Sequence, residues 1–277
     1  RYYHLVLLAE NNQGYANLMK IVSKSFVEGF YYKPRVDLQL LEKYHEGLIA
    51  LSACLAGEVA RFLTRGMYED AKAAALRYQD IFGKGNFFLE LQDHGIPEQQ
   101  NVNQQLLKMH RETGIELVAT NDVHYTLAED AQPHDVLLCL QTGKKLSDEN
   151  RMRYDGGQYY VKSPEEMERL FPYATEALEN THKIAERCHV EIEFGVTKLP
   201  KFDVPEGYTS WEYLNELCFK GLEERYQPVT EELKERLNYE LSTIKNMGYV
   251  DYFLIVWDFI RYARDHDICL LYTSPSP

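Results

Sequence analysis

The chain has no long apolar run, no closely paired cysteines and no basic excess, and each absence removes a class of function. In 277 residues no hydrophobic stretch approaches the roughly 20 residues that a bilayer-spanning helix needs, so a membrane partner is not expected. The start, Arg1-Tyr2-Tyr3-His4, has no signal-peptide pattern and no initiator Met, and it leads straight into a strand-like run. It reads as an internal fragment. Five cysteines (Cys54, Cys139, Cys188, Cys218, Cys269) are scattered without a Cys-x-x-Cys pair. A disulfide framework is thereby excluded, and a reducing cytoplasm is the expected location. Lys and Arg total 30 against 43 Asp and Glu, a formal charge of −13. A surface that grips nucleic-acid phosphates carries a basic stripe, so in a nucleic-acid enzyme this chain would not form the main groove.

What is present is ordinary globular material, 45% hydrophobic and 26% charged, enough for one large domain or two smaller ones. Four short apolar runs punctuate the first half: His4–Ala9, Gly47–Ser52, Phe87–Leu91 and Glu116–Thr120. Helical spacing separates them. Leu18, Ile21, Val22 and Phe26 recur within Gly14–Val27, and Glu58–Phe82 carries a repeating apolar face interrupted near Gly66. Pro97 opens a third helix that stops at Gly114. Strands that are apolar throughout and alternate with helices predict an α/β fold, a parallel sheet covered by helices.

Such sheets put their chemistry at the carboxyl ends of strands. The run Ile115–Ala119 ends in Asn121-Asp122-Val123-His124. Residues i and i+2 of an extended chain project to one side, so Asp122 and His124 can reach one ion. An Asx-turn with His124 at the surface explains the same letters. Cys54 follows the strand Leu48–Leu51, yet a lone cysteine is more often a small buried hydrophobe. Asp93-His94 before Gly95 and Pro97 reads as a turn. His4 opens its strand instead of closing it, so the strand-end rule gives it no support.

The second half differs in texture. A helical run surrounds Val136–Leu140, a polar Gly-containing stretch follows, and Gln158–Val161 is extended. Ser163-Pro164-Glu165-Glu166 fits an N-cap with Pro at N1 and an acidic first turn. Ala174–Cys188 is another helix, and Val190–Phe194 a short extended piece. Residues 196–210 read as a connector between domains. Trp211–Tyr226 and Thr230–Met247 are amphipathic, and Tyr249–Ile260, taken alone, reads as a buried helix.

The motifs His4-Leu-Val-Leu-Leu-Ala-Glu-Asn, Leu51-Ser-Ala-Cys-Leu-Ala-Gly57 and Ala119-Thr-Asn-Asp-Val-His-Tyr125 occur in that order, and Met247-Gly-Tyr-Val-Asp-Tyr-Phe-Leu-Ile-Val-Trp-Asp-Phe-Ile260 follows. The first three resemble the polymerase and histidinol phosphatase (PHP) domain of bacterial replicative DNA polymerase III alpha subunits; the fourth is similar to that family's entry into the palm. The resemblance runs from His4 to about Ile268. It implies a distorted PHP-type β/α barrel over 1–195, N-terminally truncated, then the connector 196–210 and a mainly helical start of the polymerase palm over 211–268. It also implies that His4, Cys54, Asp122 and His124 are metal ligands. For so mixed a donor set zinc or manganese suits better than calcium.

The same resemblance places further PHP ligands upstream of Arg1, and the palm aspartates after Ile268. Residues 269–277 do not fit the family and read as a junction, an assembly error or a foreign tail. In the full-length protein the implied activity is magnesium-dependent, template-directed DNA synthesis from dNTPs, with phosphoester hydrolysis at the PHP site. A sliding clamp and a proofreading exonuclease are the implied partners. The fragment by itself is expected to be inactive. Two other readings stay open: a metal-free PHP scaffold that stabilises the polymerase or docks an exonuclease, and a stand-alone PHP phosphoesterase.

Overall fold

Val6–Ala9, Leu48–Leu51, Phe87–Leu91 and Leu117–Ala119 form strands β1 to β4 of one sheet, in the order β1-β2-β3-β4. The structure is a computed structural model that describes residues 2–269 apart from Asp155 and Thr197. All but Cys269 of the tail that does not match the family therefore lies outside the described residues. The chain divides into two units, Arg1–Ile192 and Glu193–Pro277.

Every residue of β2, β3 and β4 is buried, which is why these strands read as continuous apolar runs. Alternate side chains serve opposite faces. Leu48, Ala50, Phe87, Leu89, Leu91, Leu117 and Ala119 join the large core, while Ile49, Leu51, Phe88 and Val118 meet Ile184 in a smaller one. Each large side chain so buried contributes about 1.5–3 kcal/mol over leaving it exposed.

β2-β3 and β3-β4 are parallel as expected, but β1 is antiparallel to β2, with Val6 opposite Leu51 and Ala9 opposite Leu48. The expected all-parallel sheet is corrected here. Helix α1 (Asn12–Val27) leaves the end of β1, and α2 (Leu38–Tyr44) brings the chain back to that same end, where the Glu10 N–H donates to the Gly47 carbonyl at 2.9 Å. The excursion behaves as a long hairpin rather than a crossover. Close approach makes it possible: a Cβ on Gly14 would lie 1.8 Å from the Gly47 oxygen.

The remaining helices of the first unit follow their punctuation. α3 (Glu58–Leu63) and α4 (Tyr68–Phe82) are separated at Gly66, whose φ is +74°. α5 (Pro97–Thr113) ends on left-handed Gly114. α6 is Ala131–Thr142, α7 (Pro164–Leu170) starts from a Ser163/Glu166 capping box, and α8 is Thr175–Arg187. Val190–Phe194 pairs with no strand among the described residues.

The second unit contains α9 (Ser210–Arg225), α10 (Glu231–Asn246) and α11 (Val250–Asp265), with Leu214, Leu241 and Leu254 at their core. Part of the segment read as a connector packs here: Phe202 and Val204 lie against this core, and the Phe202 N–H donates to Asp251 Oδ1 at 3.0 Å. The reading of Tyr249–Ile260 as a buried helix needs correction. Only Leu254 and Ala263 of α11 are buried, whereas Tyr252, Phe253, Phe259 and Tyr262 are exposed. Apolar residues encircle this helix, and the other helices of the unit cover one stripe of it.

Candidate metal centre

The antiparallel course of β1 decides where His4 lies. Because β1 runs opposite to β2, its beginning sits at the carboxyl end of β2. The His4 N–H donates to the Ala56 carbonyl at 3.1 Å, and His4 bridges Gly57. His4 Nδ1 is 3.5 Å from Cys54 Sγ. The strand-end rule that withheld support from His4 assumed the wrong strand direction. Cys54 is half-buried rather than sealed in the core.

Beyond β4, Asp122 Oδ1 lies 3.3 Å from His124 Nε2, and both side chains reach solvent. The loop 121–126 is held against 159–161. The His124 N–H donates to the Tyr159 carbonyl at 2.8 Å, the Val161 N–H to the Thr126 carbonyl at 3.2 Å, and the Asn121 amide to the Tyr160 carbonyl at 2.7 Å. The His124 ring packs against Tyr154 and His134, with centroids 4.3 and 5.6 Å away.

The four expected ligands therefore meet as two pairs, His4 with Cys54 and Asp122 with His124. Among the described residues no group of three His, Cys, Asp or Glu side chains is placed to hold one ion. The His4–Cys54 pair nevertheless has the spacing of two ligands on one tetrahedral metal, and the Asp122–His124 pair is slightly closer. A tetrahedral zinc bonded at about 2.3 Å to sulfur and about 2.1 Å to nitrogen or oxygen keeps adjacent donors roughly 3.4–3.6 Å apart. The observed separations are 3.5 and 3.3 Å. Imidazole, thiolate and carboxylate together form a borderline donor set that fits zinc or manganese.

Buried polar groups concentrate beneath these pairs. Of eight buried polar residues in the described chain, Ser52, Glu90, His94, Gln99 and Asn103 lie on or next to the carboxyl ends of β2 and β3. His94, read above as part of a turn, is 3% exposed and stacks on Tyr159 with ring centroids 4.6 Å apart. Asn121 spends its amide on Tyr160, so its Oδ1 faces His94 Nε2 at 3.1 Å; the Asp122 N–H points at the same nitrogen at 3.2 Å, and Gln99 Nε2 lies 3.1 Å from Nδ1. Burial holds the His94 pKa below its ordinary value, so the ring is neutral and fixes the residue preceding Asp122. Asp93 makes the expected Asx-turn, accepting the Gly95 N–H at 2.9 Å.

Glu90 was not singled out from the sequence. It is 6% exposed in the middle strand, and burial pushes its carboxyl pKa up, against lowering contributions from Thr120, the Ala53 peptide and Gln92. A single carboxylate inside Phe-Phe-Leu-Glu-Leu was the available signal.

Two family models match the chain. A PHP domain model covers residues 1–94, and a model described as the bacterial DNA polymerase III alpha NTPase domain covers 212–271. A DNA polymerase III subunit alpha of Treponema pallidum is 47% identical over 97% of this chain, and one of Borreliella burgdorferi 50% over 96%. The chain belongs to the DNA polymerase III alpha-subunit family. A more distant member, from Thermus aquaticus, is 38% identical over 96% of the chain. The chain spans 23% of the length of the first two relatives and 27% of the third. The mixed α/β first unit, with four strands among mostly helical elements, is the PHP-type fold of an alpha subunit. No described helix is long and apolar enough to cross a membrane.

Proposed function

We propose that this chain is part of the catalytic alpha subunit of a bacterial replicative DNA polymerase, and that its PHP unit holds a divalent metal through His4, Cys54, Asp122 and His124. The carrying observation is relatedness to alpha subunits over 96–97% of the chain, with both candidate donor pairs at the carboxyl end of one sheet. The full-length protein would copy a DNA template from dNTPs with magnesium, alongside a sliding clamp and a proofreading exonuclease. These 277 residues alone would not polymerise. They form the PHP unit and the helices entering the palm.

Zinc or manganese at the PHP site would supply Lewis acidity toward a phosphoester and an activated water. The chain's own residues have defined tasks. His124 is oriented by Tyr154 and by the hydrogen bond its N–H donates to the Tyr159 carbonyl, and the loop before it by the His94 ring. Exposure of Asp122 leaves the site open to a strand end. A second reading is a metal-free scaffold, favoured by the lack of any three-donor group among the described residues. The match over 212–271 weighs against a stand-alone phosphoesterase.

Primer extension and release of a 3′-terminal nucleotide, measured on the full-length protein and its Asp122→Ala variant, test the proposal. Extension retained with metal-dependent release lost supports it. Absence of template-directed extension in the wild type would overturn the polymerase assignment, and equal release by both proteins the hydrolytic one.

A further inference from the structure

Glu90 is expensive to keep as a carboxylate. It lies within a strand that is buried along its whole length, and Oε2 accepts no hydrogen bond of ordinary geometry. A glutamine of the same shape would remove the buried ionisable group, so the fold alone gives no reason for the acid. Its contacts show what it connects. Its own N–H donates to Ser52 Oγ at 2.8 Å, two residues before Cys54. Oε1 accepts from the Thr120 hydroxyl, two residues before Asp122, and from Gln92 Nε2 at 3.2 Å. Gln92 also reaches Thr120 Oγ1 at 3.2 Å.

The residue thus spans from the end of β2 to the end of β4, the two segments that carry the donor pairs. Beside it lies a cavity of about 10 Å³ lined by Cys54, Glu90, Gln92, Gln99 and Asn103 together with four apolar residues. That volume is close to the minimum for one water, and the polar lining offers such a water several partners.

We propose that Glu90 is a positioning residue of the metal centre, tying the Cys54 and Asp122 segments together and, through one water in this cavity, orienting the Cys54 thiolate. The inference rests on the metal-binding reading above and adds a residue to it. Outer partners of metal ligands are worth about 10- to 100-fold in metal affinity. The carboxylate is retained for this, at a cost to the stability of the metal-free fold.

The test uses the full-length protein, its Glu90→Gln and Thr120→Val variants, and zinc and manganese as probes. Dissociation constants come from competition with a chromophoric chelator, and unfolding midpoints of the metal-free proteins from calorimetry. Glu90→Gln is expected to weaken metal binding about 10- to 100-fold while its metal-free midpoint stays level or rises. Thr120→Val, which cuts the tie to the Asp122 segment and leaves the acid in place, is expected to weaken binding in the same direction. A merely structural Glu90 would move affinity and midpoint together. Wild-type-like affinity in Glu90→Gln would overturn this inference alone; absence of metal binding by the wild type would overturn the metal-centre reading with it.

Discussion

Replacing His94 by Phe separates shape from hydrogen bonding beneath the Asp122 loop. Phenylalanine retains a ring of similar size to stack on Tyr159, now 4.6 Å from the His94 ring. It can bond neither Gln99 Nε2 nor Asn121 Oδ1, both 3.1 Å from ring nitrogens of His94, nor the Asp122 N–H, 3.2 Å from Nε2. Gln99 is 6% exposed and its Oε1 is already committed to the His94 N–H at 2.9 Å, so the amide cannot turn away without a second loss. Each orphaned buried group costs about 1–3 kcal/mol, and Asn121 recovers part of its share from water because it is only half-buried. The net destabilisation is therefore about 2–4 kcal/mol. A local probe is needed, since both tryptophans, Trp211 and Trp257, lie in the second unit. Native-state amide exchange at Thr120, whose N–H donates to the Leu91 carbonyl at 3.0 Å, reads the opening free energy where the effect is expected. A change below about 0.5 kcal/mol at Thr120 would refute the hydrogen-bond assignment, because surface-like substitutions stay within that range.

The same histidine sets a pH dependence in the metal-free protein. Its folded pKa is depressed below the ordinary 6.5, so the unfolded chain binds a proton first. Stability is intact above about 6.5 and declines on acidification, and His94→Phe should flatten that decline in urea titrations at stepped pH. Glu90 acts in the opposite sense. Burial raises its folded pKa above the ordinary 4.5, so its contribution is present at acid pH and is lost as pH rises through the folded value. Glu90→Gln should remove that second limb, and an unchanged profile would contradict the burial argument. Gly57→Ala would place a Cβ 2.2 Å from the Ser52 oxygen, while Gly66, at φ +74°, has no neighbour within 4 Å. Gly57→Ala is expected to cost about 1–3 kcal/mol by overpacking and to weaken metal binding; Gly66→Ala should cost about 1 kcal/mol and leave binding alone. Equal effects on metal binding would contradict this separation.

The strands were legible because burial on both faces writes an unbroken apolar run, and Phe87–Leu91 begins and ends where expected. Punctuation did as well: Gly66 separates α3 from α4, Pro97 opens α5, and Ser163 caps α7. Strand direction was not legible. An apolar run reads the same in either sense, and only the return of α2 to the Gly47 end makes β1 antiparallel. His4 was consequently underrated by strand-end reasoning, and the family resemblance was needed to nominate it. Glu90 and His94 escaped for a different reason. Their significance lies in partners 27 to 38 residues away, Ser52, Thr120 and Asn121, which no local pattern links. α11 shows the limit of hydropathy: its apolar residues are real, yet exposure depends on how much of the helix its neighbours cover.

Reversal of β1 brings His4 and Cys54 to the same end of the sheet as Asp122 and His124, and the proposed metal centre rests on that placement. Anomalous diffraction from crystals of the full-length protein, at the zinc and manganese edges, tests it most directly. The prediction is an anomalous peak within bonding distance of His4 and Cys54 or of Asp122 and His124, with the Asp122 peak lost in Asp122→Ala. A metal-supplemented crystal without a peak at either pair would contradict it.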